Sequence, residues 1–152
     1  IYDIDKKTLR EKKNSDIRNR VKIGNNSSAD IFVSIHLNKI PENQYYGWQT
    51  FFKDGNEDGK RLANCIQNNL NETIQKENKR TPLKINNVYI IKHVEIPTVI
   101  VECGFLSNYN ECGQLRSKNY QKKLCQKVKE GLIKYHLRIM TQKKKKTAKI
   151  LQ

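Results

Sequence analysis

Residues 97–108 constrain the fold more than any other stretch of the chain. The segment from Thr98 to Val101 is β-branched without interruption, which is typical of a strand buried on both faces of a sheet. The run ends in Glu102, and burying a carboxylate is costly unless a positive or hydrogen-bonding group receives it. Because α/β proteins build their sites where strands end, Glu102 is the first candidate for chemistry. A purely structural ion pair with one of the 30 Lys and Arg residues is an equally good interpretation at this point.

A second apolar run, Ile31 to Asn38, also predicts a buried strand. His36 lies near its carboxyl end, as Glu102 does in the other strand. Neighbouring parallel strands would bring the two side chains close together, and this makes a functional site more probable than a lone histidine would.

The remaining elements alternate between helix and strand patterns. Residues 57–79 have apolar side chains at every fourth position, which predicts an amphipathic helix. The pattern as a whole predicts an α/β fold, with a mostly parallel or mixed sheet flanked by helices and truncated at the N-terminus. The strand at 48–52 follows its predecessor too closely for a helical crossover, so we expect it to be antiparallel or at an edge. The other predicted elements are helices at 6–28 and 111–137 and a strand at 88–92.

Length and charge limit the class of protein. The 152 residues suffice for one domain, which we place at 1–138, followed by a basic and disordered tail at 139–152. No run is long and apolar enough to span a membrane, and no targeting segment is visible. The chain opens with Ile1 in a polar segment, as the interior of a longer protein would. The net charge of +15 would suit an anionic polymer, but the cations are scattered and no nucleic-acid motif is present.

Metal ligands are not specified by spacing alone. The four cysteines form no CxxC pair, so we expect buried free thiols. His36, His93, Glu102 and Cys103 are candidate ligands or acid–base groups. A catalytic zinc site needs about three protein ligands, and nothing in the spacing of these residues requires one. From the residues alone, a metal hydrolase is a weak hypothesis.

Several motifs together point to a known family. The segments SIHLN (34–38) and VECGFLSN (101–108), with GWQTFF (47–52) between them and NKR at 78–80, closely resemble the zinc-dependent N-acetylmuramoyl-L-alanine amidases of the amidase type 3 family. The resemblance runs from about residue 20 to 135. The loop that precedes GWQTFF is most similar to the spore-cortex, germination-associated branch.

The resemblance implies a reaction and a site. These enzymes cut the amide between N-acetylmuramic acid and the L-alanine of the stem peptide by zinc-activated water. His36 matches a zinc ligand, and Glu102 matches the catalytic carboxylate that activates water and protonates the leaving amine. Asn38 and Arg80 occupy motif positions that contact substrate. His93 matches no ligand, and we interpret it as a residue near the rim.

The resemblance also implies a missing part. Two of the three expected Zn²⁺ ligands would lie upstream of residue 1, so we expect this isolated chain to bind zinc poorly and turn over little. Peptidoglycan is the expected partner, no nucleic acid is expected, and an activating protein is not identified. The family's substrate places the protein in the cell envelope or outside the cell. A non-catalytic peptidoglycan-binding module and, less favoured, a basic nucleic-acid-binding domain are the alternatives.

Overall fold

Within the described residues, five helices and four strands form three layers, with helices on both faces of a sheet. The structure is a computed structural model that describes residues 1–74, 77 and 79–150. The helices within these residues are α1 (Leu9–Asn26), α2 (Glu57–Thr73), α3 (Tyr89–His93), α4 (Tyr109–Arg116) and α5 (Lys118–Ile150). The strands are β1 (Phe32–Asn38), β2 (Gln49–Lys53), β3 (Leu83–Ile85) and β4 (Thr98–Phe105).

The sheet is mixed, as the sequence predicts. Its strand order is β1-β4-β2-β3, in which β1 is parallel to β4 and β3 is parallel to β2. Strand β2 runs antiparallel to β4, so the predicted direction of this strand is confirmed. It lies in the interior of the sheet rather than at an edge, because β3 covers its other side. The α/β class is therefore confirmed, with β1 and β3 as the two edges.

One face of the sheet carries the main core, against α2 and α5. The predicted stripe of α2 is confirmed, since Leu62, Ile66 and Leu70 are completely buried. They pack with Val99 and Val101, which are alternate residues of β4 and therefore share one face of the sheet. Burying a side chain of this size contributes about 1.5–3 kcal/mol, so this layer supplies much of the stability.

The opposite face is covered only in part. Val21 of α1 packs there with Ile90 and Val94 of the α3 region and with Phe32 at the start of β1. Helix α1 begins after Thr8, whose hydroxyl accepts the Glu11 N–H at 3.1 Å in a capping box. This smaller cluster does not include His36, whose side chain is exposed near the carboxyl end of β1.

Three predicted elements differ from the structure. The strand predicted at 88–92 is wrong, because this segment forms helix α3. A short apolar run is compatible with the hydrophobic periodicity of a helix as well as that of a strand. The helix predicted at 57–79 ends at Thr73, and positions 75, 76 and 78 lie outside the described residues. The single helix predicted at 111–137 is in fact two helices, α4 and α5, which are separated at Ser117.

The C-terminal segment also differs from expectation. Helix α5 continues past Leu137 to Ile150, so the described backbone of the tail is helical rather than disordered, while residues 151 and 152 lie outside the description. The domain boundary at 138 stays a prediction. No helix among the described residues is both long and apolar enough to cross a membrane.

The cysteines agree with the prediction only in part. Cys65 and Cys103 are buried free thiols, as expected. Cys125 is exposed, which corrects the expectation of burial; its place in an apolar stripe of α5 does not by itself bury it. Cys112 is half-buried.

Candidate active site

His36 and Glu102 lie directly opposite each other on adjacent parallel strands. Their Cα atoms are register partners of β1 and β4. Residues paired in this way point to the same face of a sheet, and neighbouring strands are about 4.8 Å apart. Burial raises the pKa of the Glu102 carboxyl, while the electrostatic interaction with the neighbouring His36 acts in the opposite direction. The two residues that the sequence singles out are thus brought together.

The carboxylate of Glu102 has an unusual environment. Its Oε2 atom is buried and has no hydrogen-bond partner within the described part of the chain. Buried polar atoms are nearly always hydrogen-bonded, so such an oxygen marks a position that a donor or a cation would complete. The His36 ring is exposed, and its Nε2 lies 3.1 Å from the Ser34 hydroxyl oxygen. An exposed histidine ring and a buried, unsatisfied carboxylate oxygen therefore belong to residues that are paired across two adjacent strands.

A register shift beyond this pair changes the direction of the next side chains. His36 pairs with Glu102, but Asn38 pairs with Phe105, so β4 has one residue more than β1 over this step. Because side chains alternate along a strand, the extra residue brings Phe105 to the face that carries Glu102. Gly104 provides the bulge with a φ of +152°. The carbonyl oxygen of Asn38 accepts the N–H of Leu106 at 2.7 Å, which holds this end of the strand pair.

A buried carboxylate in α4 ties together the chain segments around the site. Glu111 Oε2 accepts the Phe105 N–H at 2.6 Å, and its Oε1 accepts the Gly47 N–H at 2.8 Å. Burial raises the pKa of Glu111, although these two bonds and the charge of Arg80 act in the opposite direction. Sequence reasoning did not assign Glu111 a role, but Asn108 three residues earlier is the signal of a capped helix start. Glu111 thus joins the end of β4 to the entry of β2.

Arg80 reaches the same region from the loop that follows α2. Its guanidinium carbon lies 5.4 Å from the centroid of the Phe105 ring, and its Nη1 donates to the Gly47 carbonyl oxygen at 3.5 Å. The predicted substrate residue therefore lies beside the strand that carries Glu102. His93 lies elsewhere: it ends α3, and its ring is packed edge-on against Tyr89 with centroids 4.1 Å apart.

The described residues do not form a complete metal site by themselves. They contain no group of three or more His, Cys, Asp and Glu side chains that could hold a metal ion. A catalytic zinc takes about three protein ligands and keeps one position open. His36 offers one ring nitrogen beside the unsatisfied oxygen of Glu102, and this pair fits one side of such a site.

The fold and this pair define an α/β protein with an acid–base constellation near the carboxyl ends of two parallel strands. Residues 3–134 match the family model described as N-acetylmuramoyl-L-alanine amidase. The chain therefore belongs to the N-acetylmuramoyl-L-alanine amidase family, whose members are generally zinc-dependent.

The chain is also similar to individual amidases. The chain is 32% identical over 124 residues to the germination-specific N-acetylmuramoyl-L-alanine amidase of Bacillus subtilis. This match covers 82% of this chain and 52% of the relative. It is 41% identical to the CwlD amidase of Clostridioides difficile, solved in complex with the GerS lipoprotein, with a TM-score of 0.86 over 89% of this chain and 69% of that one. An amidase of Clostridium difficile 630 is 30% identical, with a TM-score of 0.71 over 78% and 64%. The chain spans about half the length of the curated relatives it matches, at 52% and 58% of the first two.

Proposed function

We propose that this chain forms part of a peptidoglycan hydrolase that cleaves the amide bond between N-acetylmuramic acid and the L-alanine of the stem peptide. The observation that carries the proposal is the direct register pairing of His36 and Glu102 in a chain of this family. His36 lines a cleft of about 480 Å³ together with residues of α1 and α3, so this side of the pair has room for a substrate group.

Glu102 is the proposed acid–base residue. Burial raises the pKa of its carboxyl, which makes the carboxylate a stronger base than an exposed glutamate. Such a group is suited to take a proton from the attacking water and deliver it to the departing amine of L-alanine. Its unsatisfied Oε2 supports this role, because that oxygen has no competing donor among the described residues.

His36 is the proposed zinc ligand. Its ring is exposed, and His36 is the register partner of Glu102. The bound Zn²⁺ would polarise the scissile carbonyl and make water acidic enough to react at neutral pH. The other protein ligands would come from outside the described residues. Asn38 and Arg80 are proposed to contact the substrate on either side of the pair.

The relatives suggest the biological setting. One is germination-specific and another was solved with a lipoprotein, and both are amidases. We therefore infer that this protein acts on spore-cortex peptidoglycan, at the cell envelope or outside the cell, and that a protein partner assists it.

The test is digestion of purified sacculi by the complete protein supplied with Zn²⁺. We expect release of new L-alanine amino groups, and we expect Glu102→Gln to reduce that release by about 10²- to 10⁴-fold, the usual contribution of acid–base catalysis. Glu95→Gln, an exposed glutamate just before β4, is the matched control and should remain active.

Zinc content separates the roles of the two site residues. We expect one bound Zn²⁺ in wild-type protein and in Glu102→Gln, and loss of zinc in His36→Ala. Loss of zinc in Glu102→Gln would mean that Glu102 is a ligand rather than the acid–base residue. Sacculi that are bound but never cut would instead support the non-catalytic binding module, which the lack of a three-ligand group among the described residues favours as second candidate.

A further inference from the structure

The backbone around Arg80 is fixed by side chains of the folded core. Asn71 donates from Nδ2 to the Arg80 carbonyl oxygen at 2.9 Å, and its Oδ1 accepts the indole N–H of Trp48 at 2.7 Å. Gln49 donates from Nε2 to the carbonyl oxygen of Thr81 at 2.7 Å. Both Gln49 and Trp48 are buried, so these bonds attach the loop to rigid positions.

This attachment determines where Arg80 lies relative to the candidate catalytic carboxylate. Gln49 is the register partner of Glu102 on the side opposite His36. The loop that carries Arg80 is therefore joined to the residue next to Glu102, and the Phe105 ring supports the guanidinium from below. An arginine that is held in this way loses little side-chain freedom when it binds an anion.

A cleft of about 380 Å³ opens beside this guanidinium. Its volume is within the range of small-ligand sites, about 300–1,000 Å³. Two of its side chains are cationic and one is anionic, which leaves a net positive charge. Two exposed tyrosines form another wall, and the ring of one of them, Tyr45, has its centroid 6.4 Å from that of Phe105. The lining residues are Gln44, Tyr45, Tyr46, Glu77, Lys79 and Arg80.

The chemistry of the substrate indicates which part enters this cleft. The lactyl carboxyl of N-acetylmuramic acid is consumed in the amide bond that is cut, so a free carboxylate of the substrate must lie on the peptide side. The planar fork of an arginine matches a carboxylate in two parallel hydrogen bonds. A carboxylate would be repelled by Glu102 and attracted by Arg80 and Lys79.

We propose that the cleft beside Arg80 is a subsite for a carboxylate of the stem peptide, with Lys79 as the second cation and Tyr45 and Tyr46 covering the peptide chain. This inference rests on the proposed function. It places the peptide on the β2 side of Glu102 and leaves the β1 side, where His36 lies, to the sugar.

Binding without hydrolysis tests the subsite. Acetyl-L-alanyl-D-glutamate and its diamide are titrated into the 152-residue chain, with affinities from NMR chemical-shift changes, which report millimolar binding. We expect the dicarboxylate to bind at least tenfold more tightly than the diamide. We expect Arg80→Gln to weaken dicarboxylate binding at least tenfold and Arg80→Lys to weaken it less, because lysine retains the charge but not the fork. Arg18→Gln, an exposed arginine of α1, removes the same charge elsewhere and should bind normally.

Each other outcome overturns the subsite. Equal affinities for acid and diamide, or no binding of either, would exclude carboxylate recognition, and an equal loss in Arg18→Gln would assign the effect to net charge. The proposed function can fail independently of the subsite. If the 152-residue chain binds the dicarboxylate but the complete protein does not cut sacculi, the subsite is supported and the amidase activity is refuted.

Discussion

Substitution of Gly104 by alanine tests how the end of β4 is held. Gly104 has a φ of +152°, which L side chains rarely adopt. A Cβ built there would lie 2.7 Å from Cδ of Glu111 and 2.9 Å from its Oε1, so the carboxyl group would have to move. That movement breaks or lengthens the bonds from the Phe105 and Gly47 N–H groups.

The expected cost has two parts. Backbone strain at a position of this kind costs about 1–3 kcal/mol. Losing one hydrogen bond to a charged group costs about 1.5–3 kcal/mol more. Together these give about 2.5–6 kcal/mol. At about 2–4 °C per kcal/mol for a domain of this size, the melting temperature falls by roughly 5–24 °C.

Two other glycines provide matched controls in thermal unfolding followed by circular dichroism. Gly55 has a φ of +78° and no atom within 4 Å of a Cβ, so Gly55→Ala should cost only the backbone strain, about 1–2 kcal/mol. Gly113 lies in α4 with open space and an ordinary φ, so Gly113→Ala should stabilise the protein by up to about 1 kcal/mol. If Gly104→Ala lowers the melting temperature no more than Gly55→Ala, the Glu111 carboxylate does not hold the strand end.

Two further predictions concern ionisation and reactivity. Hydrogen bonds from the backbone N–H and then the hydroxyl of Thr8 lower the pKa of Glu11, so its contribution to stability is present above the ordinary glutamate pKa and is lost as the pH falls through the folded value. Thr8→Ala should raise that pKa part of the way to normal in an NMR titration, and an unchanged pKa would refute the role of the hydroxyl. Burial raises the pKa of Cys103 to about 12, whereas Cys125 is exposed, so a maleimide at pH 7 should modify Cys125 in the folded protein and Cys103 only after unfolding. Peptide mass mapping distinguishes them, and equal labelling would contradict the observed packing.

Much of the fold can be predicted because its main signals are local. The β-branched run of β4 and the four-residue spacing of α2 each reflect burial of one continuous segment. The pairing of His36 with Glu102 follows from the same local patterns, since both residues lie near the ends of buried strands that the chain order allows to be neighbours. A single sequence therefore suffices to predict this part of the candidate site.

Other features could not be predicted because they depend on contacts between distant segments. The run Val88 to Lys92 is apolar enough for a strand, but the partners available to it, Val21 and Phe32, select a short helix. The exposure of Cys125 depends on which side of α5 meets α2, and the broad apolar stripe of the helix does not determine this.

The register shift between β1 and β4 explains why the positions of Phe105 and Arg80 could not be predicted from the sequence. A bulge is a property of two paired strands, and nothing within VECGFLSN fixes whether Phe105 faces the core or Glu102. Because the extra residue turns Phe105 to the face that carries Glu102, the guanidinium of Arg80 packs against the Phe105 ring. The Glu111 carboxylate accepts hydrogen bonds from the backbone N–H groups of both Phe105 and Gly47 and so holds them in place. The family resemblance predicts that Arg80 contacts substrate, whereas the bulge provides a physical reason that an arginine from a distant loop lies beside the strand that carries Glu102. It follows that disturbing Gly104 should weaken peptide binding at the proposed subsite beside Arg80, even though Gly104 does not line that cleft.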